Sequence, residues 1–315
     1  MIKISQSMLK TFRKCHKAFD YKYRQNLQRK KKEASLLRGS CVHEMIEAKA
    51  NGKDPWETFE TYIENNKPLF IEQDPEYENL IDMVTNIMEG YFSYYKNDPL
   101  KPLPFKGKFA EHEFTVELTK DIILTGVIDM IVEDPKLGIG IMDHKTHKIL
   151  PTGDIAYSNI QSALYAWAMT QLEEFPNPQF MVWNYIRWKE PTKPKLLKSG
   201  KMSTSLGDTT WRVYRKALIE AGLDPKDYEE VKAQLEGRES EFFVRQYLPI
   251  NKTIMENIKE DTIETATQIQ TTNYKDRNIT RDCNYCEFYS LCQAELKGLD
   301  SEMVKKYEYI ERGQK

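Results

Sequence analysis

The stretch from Gly126 to Lys148, GVIDMIVEDPKLGIGIMDHKTHK, limits the possible folds of this chain more than any other. Two apolar runs flank the turn-forming EDPKLG, a pattern that reads as strand, turn, strand. In the second run, period-two alternation puts Ile139, Ile141, Asp143 and Lys145 on one face. In the first, Val127, Asp129 and Ile131 share a face. A hairpin symmetric about Lys136 sets Asp129 across from Asp143, with Cβ atoms about 5 Å apart. Two opposed carboxylates repel each other and weaken a sheet unless a cation bridges them.

Divalent cations meet that need. Mg²⁺ takes one or two carboxylates together with phosphate oxygens. Lys145, two residues beyond Asp143 on the same face, is placed to hold an attacking water or the charge that develops on a phosphoryl group. The combination suits phosphodiester hydrolysis. Solvated charges on a surface hairpin are the plainer alternative.

The rest of the chain supplies an α/β or α+β frame. Ser5 can cap a helix running to about Asn26, with Leu9, Phe12, His16, Phe19 and Tyr23 as its apolar stripe. A second helix is expected from Gly39 through SCVHEMIEAKA to Asn51-Gly52, and a third over ENLIDMVTNIMEGYFSYY. FAEHEFTVELT alternates as a strand and leads into the hairpin. SNIQSALYAWAMTQLEEF reads as a helix ended by Pro176, and QFMVWNYIRW as a further strand. Lys189 to Asp208 is rich in Pro, Lys, Ser and Gly and reads as a loop. At 315 residues, with 40% hydrophobic and 30% charged residues and no run approaching a membrane span, the chain is expected to be soluble and cytoplasmic.

Net charge is −2, but its distribution is uneven. Residues 1–32 hold eleven Lys or Arg against Asp20 alone, a local +10 that leaves −12 for the remainder. Arg187 to Lys216 holds nine basic residues against Glu190 and Asp208. Such blocks are either solvated helix faces or the footprint of a polyanion. Phe12, Phe19, Tyr21 and Tyr23 accompany the first block, and Trp183, Tyr185, Trp188 and Trp211 the second. These rings suit core packing or base stacking.

Cys283, Cys286 and Cys292 stand in a C-x2-C-x5-C pattern. Three thiolates leave a tetrahedral zinc site or an iron–sulfur cubane one ligand short, so a fourth must come from elsewhere. Cys15 and Cys41 are the remaining cysteines.

GVIDMI followed by IMDHKT resembles motifs II and III of the PD-(D/E)XK nuclease superfamily. The resemblance implies Asp129 and Asp143 as metal ligands, the main-chain carbonyl of His144 as a further ligand, and Lys145 as the residue that positions the nucleophilic water. LLRGSCVHEMIE is similar to the G-x-x-x-H segment of the RecB-like branch, which makes His43, four residues after Gly39, a nitrogen ligand. Mn²⁺ accepts imidazole more readily than Mg²⁺ does. IQSALYAWAM resembles that branch's Q-x-x-x-Y motif, with Gln161 and Tyr165 on one helical face near the scissile phosphate. FRKCHKAF is similar to the N-terminal cysteine segment of iron–sulfur RecB-like nucleases, a group that includes AddB-type subunits and CRISPR adaptation nucleases. The implied cluster is [4Fe–4S] on Cys15, Cys283, Cys286 and Cys292, with a Cys₄ zinc site as the alternative. It would close a loop of 267 residues between Cys15 and Cys283.

The resemblance implies a restriction-endonuclease-like core, a mixed central sheet flanked by helices. Helical N- and C-terminal extensions are joined by the metal cluster. Residues 1–315 are expected as one RecB-like nuclease domain. Its parts are a basic helical region (1–52), a catalytic sheet with the Q-x-x-x-Y helix (105–188), an insertion like that of phage-type members (189–250) and the cysteine segment (275–298). The implied activity is a Mg²⁺- or Mn²⁺-dependent DNA exonuclease of recombination, repair or phage DNA processing, acting on single-stranded or free-ended DNA. A catalytically silent DNA-binding iron–sulfur subunit is the alternative. A helicase, a single-strand annealing protein or a CRISPR integrase are the partners such proteins suggest; no membrane is expected.

Overall fold

The computed structural model describes residues 1–31, 34–66, 79–150, 160–175 and 177–313. In chain order the strands are β1 (Ile2–Ile4), β2 (Leu27–Arg29), β3 (Lys101–Pro102), β4 (His112–Thr119) and β5 (Ile122–Ile128). They continue with β6 (Met130–Asp134), β7 (Gly138–His147), β8 (Phe180–Arg187), β9 (Phe243–Pro249) and β10 (Tyr309–Glu311). The helices are α1 (Gln6–Lys14), α2 (His16–Phe19), α3 (Ala34–Ala50), α4 (Pro55–Asn66), α5 (Leu80–Tyr94) and α6 (Ile160–Thr170). Beyond β8 come α7 (Trp211–Glu220), α8 (Glu229–Leu235), α9 (Lys252–Thr271), α10 (Tyr289–Leu296) and α11 (Ser301–Glu308).

A five-stranded sheet runs β3-β6-β7-β8-β9, with β7 and β8 parallel and the other pairs antiparallel. Alternation sorts its side chains cleanly. Ile131, Ile141, Met181, Trp183, Tyr185 and Leu248 face a core shared with α1, α6, α9 and a second sheet, β1-β5-β4. Met130, Val132, Met142, Val182, Ile186 and Phe243 face the opposite core, shared with α3, α4 and α5. Each such buried aliphatic or aromatic side chain stabilises the fold by roughly 1.5–3 kcal/mol, so a sheet loaded on both faces holds its strands in one register.

The hairpin about Lys136 has the expected register, from Asp134 opposite Gly138 to Met130 opposite Met142. Its first run is nevertheless two strands rather than one. The chain bends at Asp129, so that β5 joins the small sheet and β6 the large one. Asp129 therefore sits at the junction of the two sheets.

Other expectations need correction. The first helix stops at Lys14, because Cys15 adopts an extended backbone (φ −165°, ψ 117°), and the chain resumes as α2 and a π-helical turn, Asp20–Arg24. The break lets the Lys14 carbonyl accept from Asn278 Nδ2 at 3.0 Å and the Lys17 amide donate to the Asp276 carbonyl at 3.0 Å. Ser5 does cap α1, its hydroxyl accepting from the Met8 amide. The second helix begins at Ala34, before Gly39, which lies inside it against Thr146. The helix expected to end at Pro176 ends at Thr170; Ser158, Asn159 and Pro176 lie outside the described residues. The stretch expected as an insertion contributes β9 to the large sheet. What stands apart is a small unit between β8 and β9, with its own core of Met202, Tyr214, Ala217, Leu218, Val231 and Leu235.

Candidate active site

Period-two geometry brings Asp143 and Lys145 to the same face of β7, beside Trp183 and Tyr185 of β8. Asp143 is buried at 2% exposure, and its Oδ2 lies 2.5 Å from Lys145 Nζ. Its Oδ1 accepts from Gln161 Nε2 at 2.7 Å, and Lys145 Nζ also reaches Gln161 Oε1 at 3.4 Å. The ammonium sits over the Trp183 ring, 5.1 Å from its centroid. Three of the expected residues thus form one hydrogen-bonded set.

Asp129 takes its place through the backbone of β7: the His144 amide donates to Asp129 Oδ2 at 2.8 Å. His43, projecting from α3, sets Nε2 at 3.1 Å from the His144 carbonyl oxygen and Nδ1 at 3.6 Å from Asp129 Oδ2. The same Nδ1 lies 3.6 Å from Glu111 Oε1. His43, Glu111 and Asp129 each present a ligand atom within 4.8 Å of the others, a grouping able to hold a metal ion. Asp143 is not in that triad; in this structure its carboxylate is turned to Lys145 and Gln161.

Glu111 is the residue that sequence reasoning missed. Alternation along β4 buries His112, Phe114 and Val116 and exposes Glu113, so Glu111 reads as another outward acid. A left-handed backbone at Glu111 (φ 54°) breaks that alternation, and its amide donates to the Asp129 carbonyl at 2.9 Å. No one-dimensional pattern announces such a turn.

The electrostatics are those of crowded buried acids. Burial, and then the neighbouring Asp143 carboxylate, push the Asp129 pKa up to about 7 against the opposing pull of His43. Burial likewise raises Asp143, with Lys145 opposing. Burial alone would lower His43, but the Glu111 and Asp129 carboxylates outweigh it and lift its pKa to about 9. The imidazolium occupies the position where a divalent cation would neutralise the same acids. The donor set of two carboxylates, an imidazole and a backbone carbonyl fits such an ion, Mn²⁺ more readily than Mg²⁺ because of the nitrogen.

Tyr165 stands one turn beyond Gln161 on α6, buried, with its ring edge-on to Phe114 at 5.2 Å. Burial first, and then Asp143 and Asp129, push its pKa up to about 12. Gly126 is required here, since a Cβ at that position would stand 2.6 Å from the Phe114 ring and 3.2 Å from Tyr165.

The His144 side chain points to the other face of the sheet. It is buried; Asn184 Nδ2 lies 2.7 Å from its Nδ1 and donates to the Tyr91 hydroxyl at 2.9 Å. Arg245 approaches Asn184 Oδ1 at 3.4 Å and makes a two-pronged pair with Asp98 at 2.6 Å per bond. Burial, then the charge of His43, holds His144 well below the usual histidine range. A neutral, anchored His144 keeps its backbone N–H and C=O aimed at Asp129 and His43.

Near the cysteines, the Cys15 helix break packs against residues 276–278, and Cys283 Sγ approaches the Asn278 carbonyl at 3.9 Å. Burial, then Cys15 and Cys283 as charged neighbours, raises the Cys286 thiol. Arg277 Nε donates to Cys292 Sγ at 3.3 Å, and Arg277 Nη2 pairs with Glu295 at 2.6 Å. All four thiols are free and half-buried. Among the described residues no three sulfurs lie within 4.8 Å of one another. Cys41, on α3, is buried away from this group.

The mixed sheet between helical layers, with acids and a lysine at its centre, is consistent with a restriction-endonuclease-like α/β fold. A family model describing the PD-(D/E)XK nuclease superfamily matches residues 3–293, and the chain belongs to that superfamily. Solved structures give remoter likenesses. The protein SSO0001 is 10% identical over 93% of this chain and 86% of its own, with a TM-score of 0.34. A protein of Eubacterium rectale described as a candidate exonuclease is 14% identical over 81% of this chain and 88% of its own, with a TM-score of 0.40. No curated protein matches the sequence. No helix among the described residues is long and apolar enough to cross a membrane.

Proposed function

We propose that this nuclease is a divalent-metal-dependent DNA exonuclease, serving recombination, repair or phage DNA processing. The observation that carries the reading is the convergence of His43, Glu111 and Asp129 beside the Asp143–Lys145–Gln161 set. His43, Asp129, Glu111 and the His144 carbonyl would hold the ion, with Asp143 at its border. A bound cation supplies Lewis acidity toward a phosphoryl oxygen and makes water a competent nucleophile at neutral pH. Lys145 holds its ammonium where a water and the developing negative charge need a donor. Gln161 keeps Lys145 and Asp143 in register, and Tyr165 closes the floor of the site. Of the two basic blocks, Lys14, Lys17, Lys22, Arg187, Lys189 and Arg212 are paired with carboxylates of the chain itself. The exposed Lys195, Lys198 and Lys201 are the part that supports a polyanionic substrate bound with salt dependence.

A [4Fe–4S] cluster on Cys15, Cys283, Cys286 and Cys292 is the second part of the reading. Its support is the meeting of the Cys15 break with the C-terminal segment that carries Cys283, Cys286 and Cys292. It would staple the two ends of the chain around the nuclease core.

The test is digestion of DNA labelled at each end, single- and double-stranded, with Mn²⁺, Mg²⁺ or EDTA, with iron measured on the same sample. Metal-dependent release of end nucleotides by brown, iron-bearing protein is expected. A cluster-bearing protein inactive on every DNA end would instead be a silent DNA-binding subunit.

A further inference from the structure

The small unit between β8 and β9 carries a feature that neither the metal site nor the cysteines explain. Residues Lys195 to Ser203 form a tight hairpin. The Leu197 amide donates to the Lys201 carbonyl at 2.8 Å, the Gly200 amide to the Leu197 carbonyl at 2.9 Å, and the Ser203 amide to the Lys195 carbonyl at 2.8 Å. Gly200 supplies the left-handed turn residue (φ 76°). The base of the hairpin is anchored. Met202 is buried in the unit's core, its amide donates to the Tyr228 hydroxyl at 3.0 Å, and the Tyr214 hydroxyl donates to the Ser203 carbonyl at 3.1 Å.

The tip is the opposite. Leu196 is 55% and Leu197 48% exposed, although a Met six residues on is fully packed. Lys195, Lys198 and Lys201 surround the two leucines, all exposed and without an ion pair among the described residues. A rigid pair of adjacent leucines held in solvent between three free ammonium groups suits a partner that offers both anionic charge and an apolar edge. Nucleic acid offers both, phosphates to the lysines and the face of a base pair to the leucines.

The position of the unit suits the same partner. It is rooted at the end of the sheet just past Lys145. Lys145 pairs in register with Tyr185 and His147 with Arg187, the Trp188 amide donates to the His147 carbonyl at 2.6 Å, and the Arg187 amide to the Phe242 carbonyl at 2.7 Å. Arg38, on the helix that carries His43, lies over the Trp188 ring at 5.0 Å.

We infer that the Lys195–Ser203 hairpin is a wedge for duplex ends: its lysines grip the backbone and Leu196 and Leu197 unstack the terminal base pair, releasing a strand toward Lys145. The inference rests on the reading of the chain as a DNA nuclease and adds the form of DNA that it engages.

The experiment uses the full chain in EDTA with a blunt duplex carrying 2-aminopurine at its end. Wild-type protein should raise the probe's fluorescence as the end unstacks. The Leu196→Ser/Leu197→Ser double variant should lose that rise with an unchanged melting temperature, since both positions are exposed. With Mn²⁺ its duplex-to-single-strand cleavage ratio should fall about tenfold, the scale of the mean stacking energy of one base-pair step. Lys198→Glu should weaken binding to every duplex alike and flatten its salt dependence by about one unit of slope. No fluorescence rise with wild type, or an equal rise with the double variant, overturns the wedge. So does a double variant whose defect is confined to binding phosphatidylserine vesicles. A normal rise without any cleavage supports the wedge and counts against the nuclease reading alone.

Discussion

The His144 amide donates to Asp129 Oδ2 at 2.8 Å, while the His144 carbonyl oxygen lies 3.1 Å from His43 Nε2. One peptide group of β7 and the next therefore tie together an acid from the β5–β6 bend and an imidazole from α3. His43, 101 positions before His144, is thereby locked to that strand, which fixes the geometry of the site.

Lys145→Ala and Asp129→Ala should each cripple DNA cleavage, with losses of about 10²–10³-fold in line with removal of a charge-stabilising group. Circular dichroism and visible absorbance should remain those of the parent. A variant that digests DNA at the parent's rate would remove that residue from the site.

Glu111→Gln keeps the shape but removes a charge facing His43. Mn²⁺ affinity measured by calorimetry should fall roughly 10–100-fold, the range for losing a group that tunes a metal site. Cleavage should recover in part at high Mn²⁺. An unaltered affinity would make Glu111 an ion-pair partner of His43 and nothing more.

Metal binding should depend on pH with a definite sign. Asp129 at about 7 and His43 at about 9 must both shed protons to ligate an ion. Affinity therefore rises with pH from 6 to 9. The free protein runs the other way: both folded pKa values lie above their unfolded values, so the stability that these two groups contribute is present at low pH and is lost as pH rises toward 9. The increase in melting temperature on adding Mn²⁺ should consequently be larger at pH 8.5 than at pH 6. Scanning fluorimetry of the parent and of Asp129→Asn checks this, the variant showing the weaker dependence.

Cys286→Ala should lower iron content and visible absorbance and reduce the melting temperature, because the chain's ends lose their staple. Cys41→Ala should leave the iron unchanged. Equal iron in Cys286→Ala and the parent would exclude Cys286 as a ligand.

Gly126→Ala forces a methyl group against Phe114 and Tyr165. Overpacking of this kind costs about 1–3 kcal/mol, measurable by urea denaturation. A neutral substitution would show that the Phe114 ring yields freely.

Period-two alternation was enough to place Ile139, Ile141, Asp143 and Lys145 on one face and to oppose the hairpin's strands about Lys136, because a strand sends successive side chains to opposite sides whatever its surroundings. Four-residue helical spacing likewise placed Gln161 and Tyr165 together. The bend at Asp129, the left-handed turn at Glu111 and the break at Cys15 were decided only in three dimensions. Each is a backbone departure held by a partner far away in the chain: the His144 amide for Asp129, the Asp129 carbonyl for Glu111, and the contacts of the Asp276–Asn278 segment on either side of Cys15. Local propensity cannot encode a conformation whose stabilising hydrogen bond is supplied by another strand. That is why Asp129 and Asp143 read as an opposed pair in the sequence, whereas folding grouped Asp129 with Glu111 and His43 and turned Asp143 to Lys145 and Gln161.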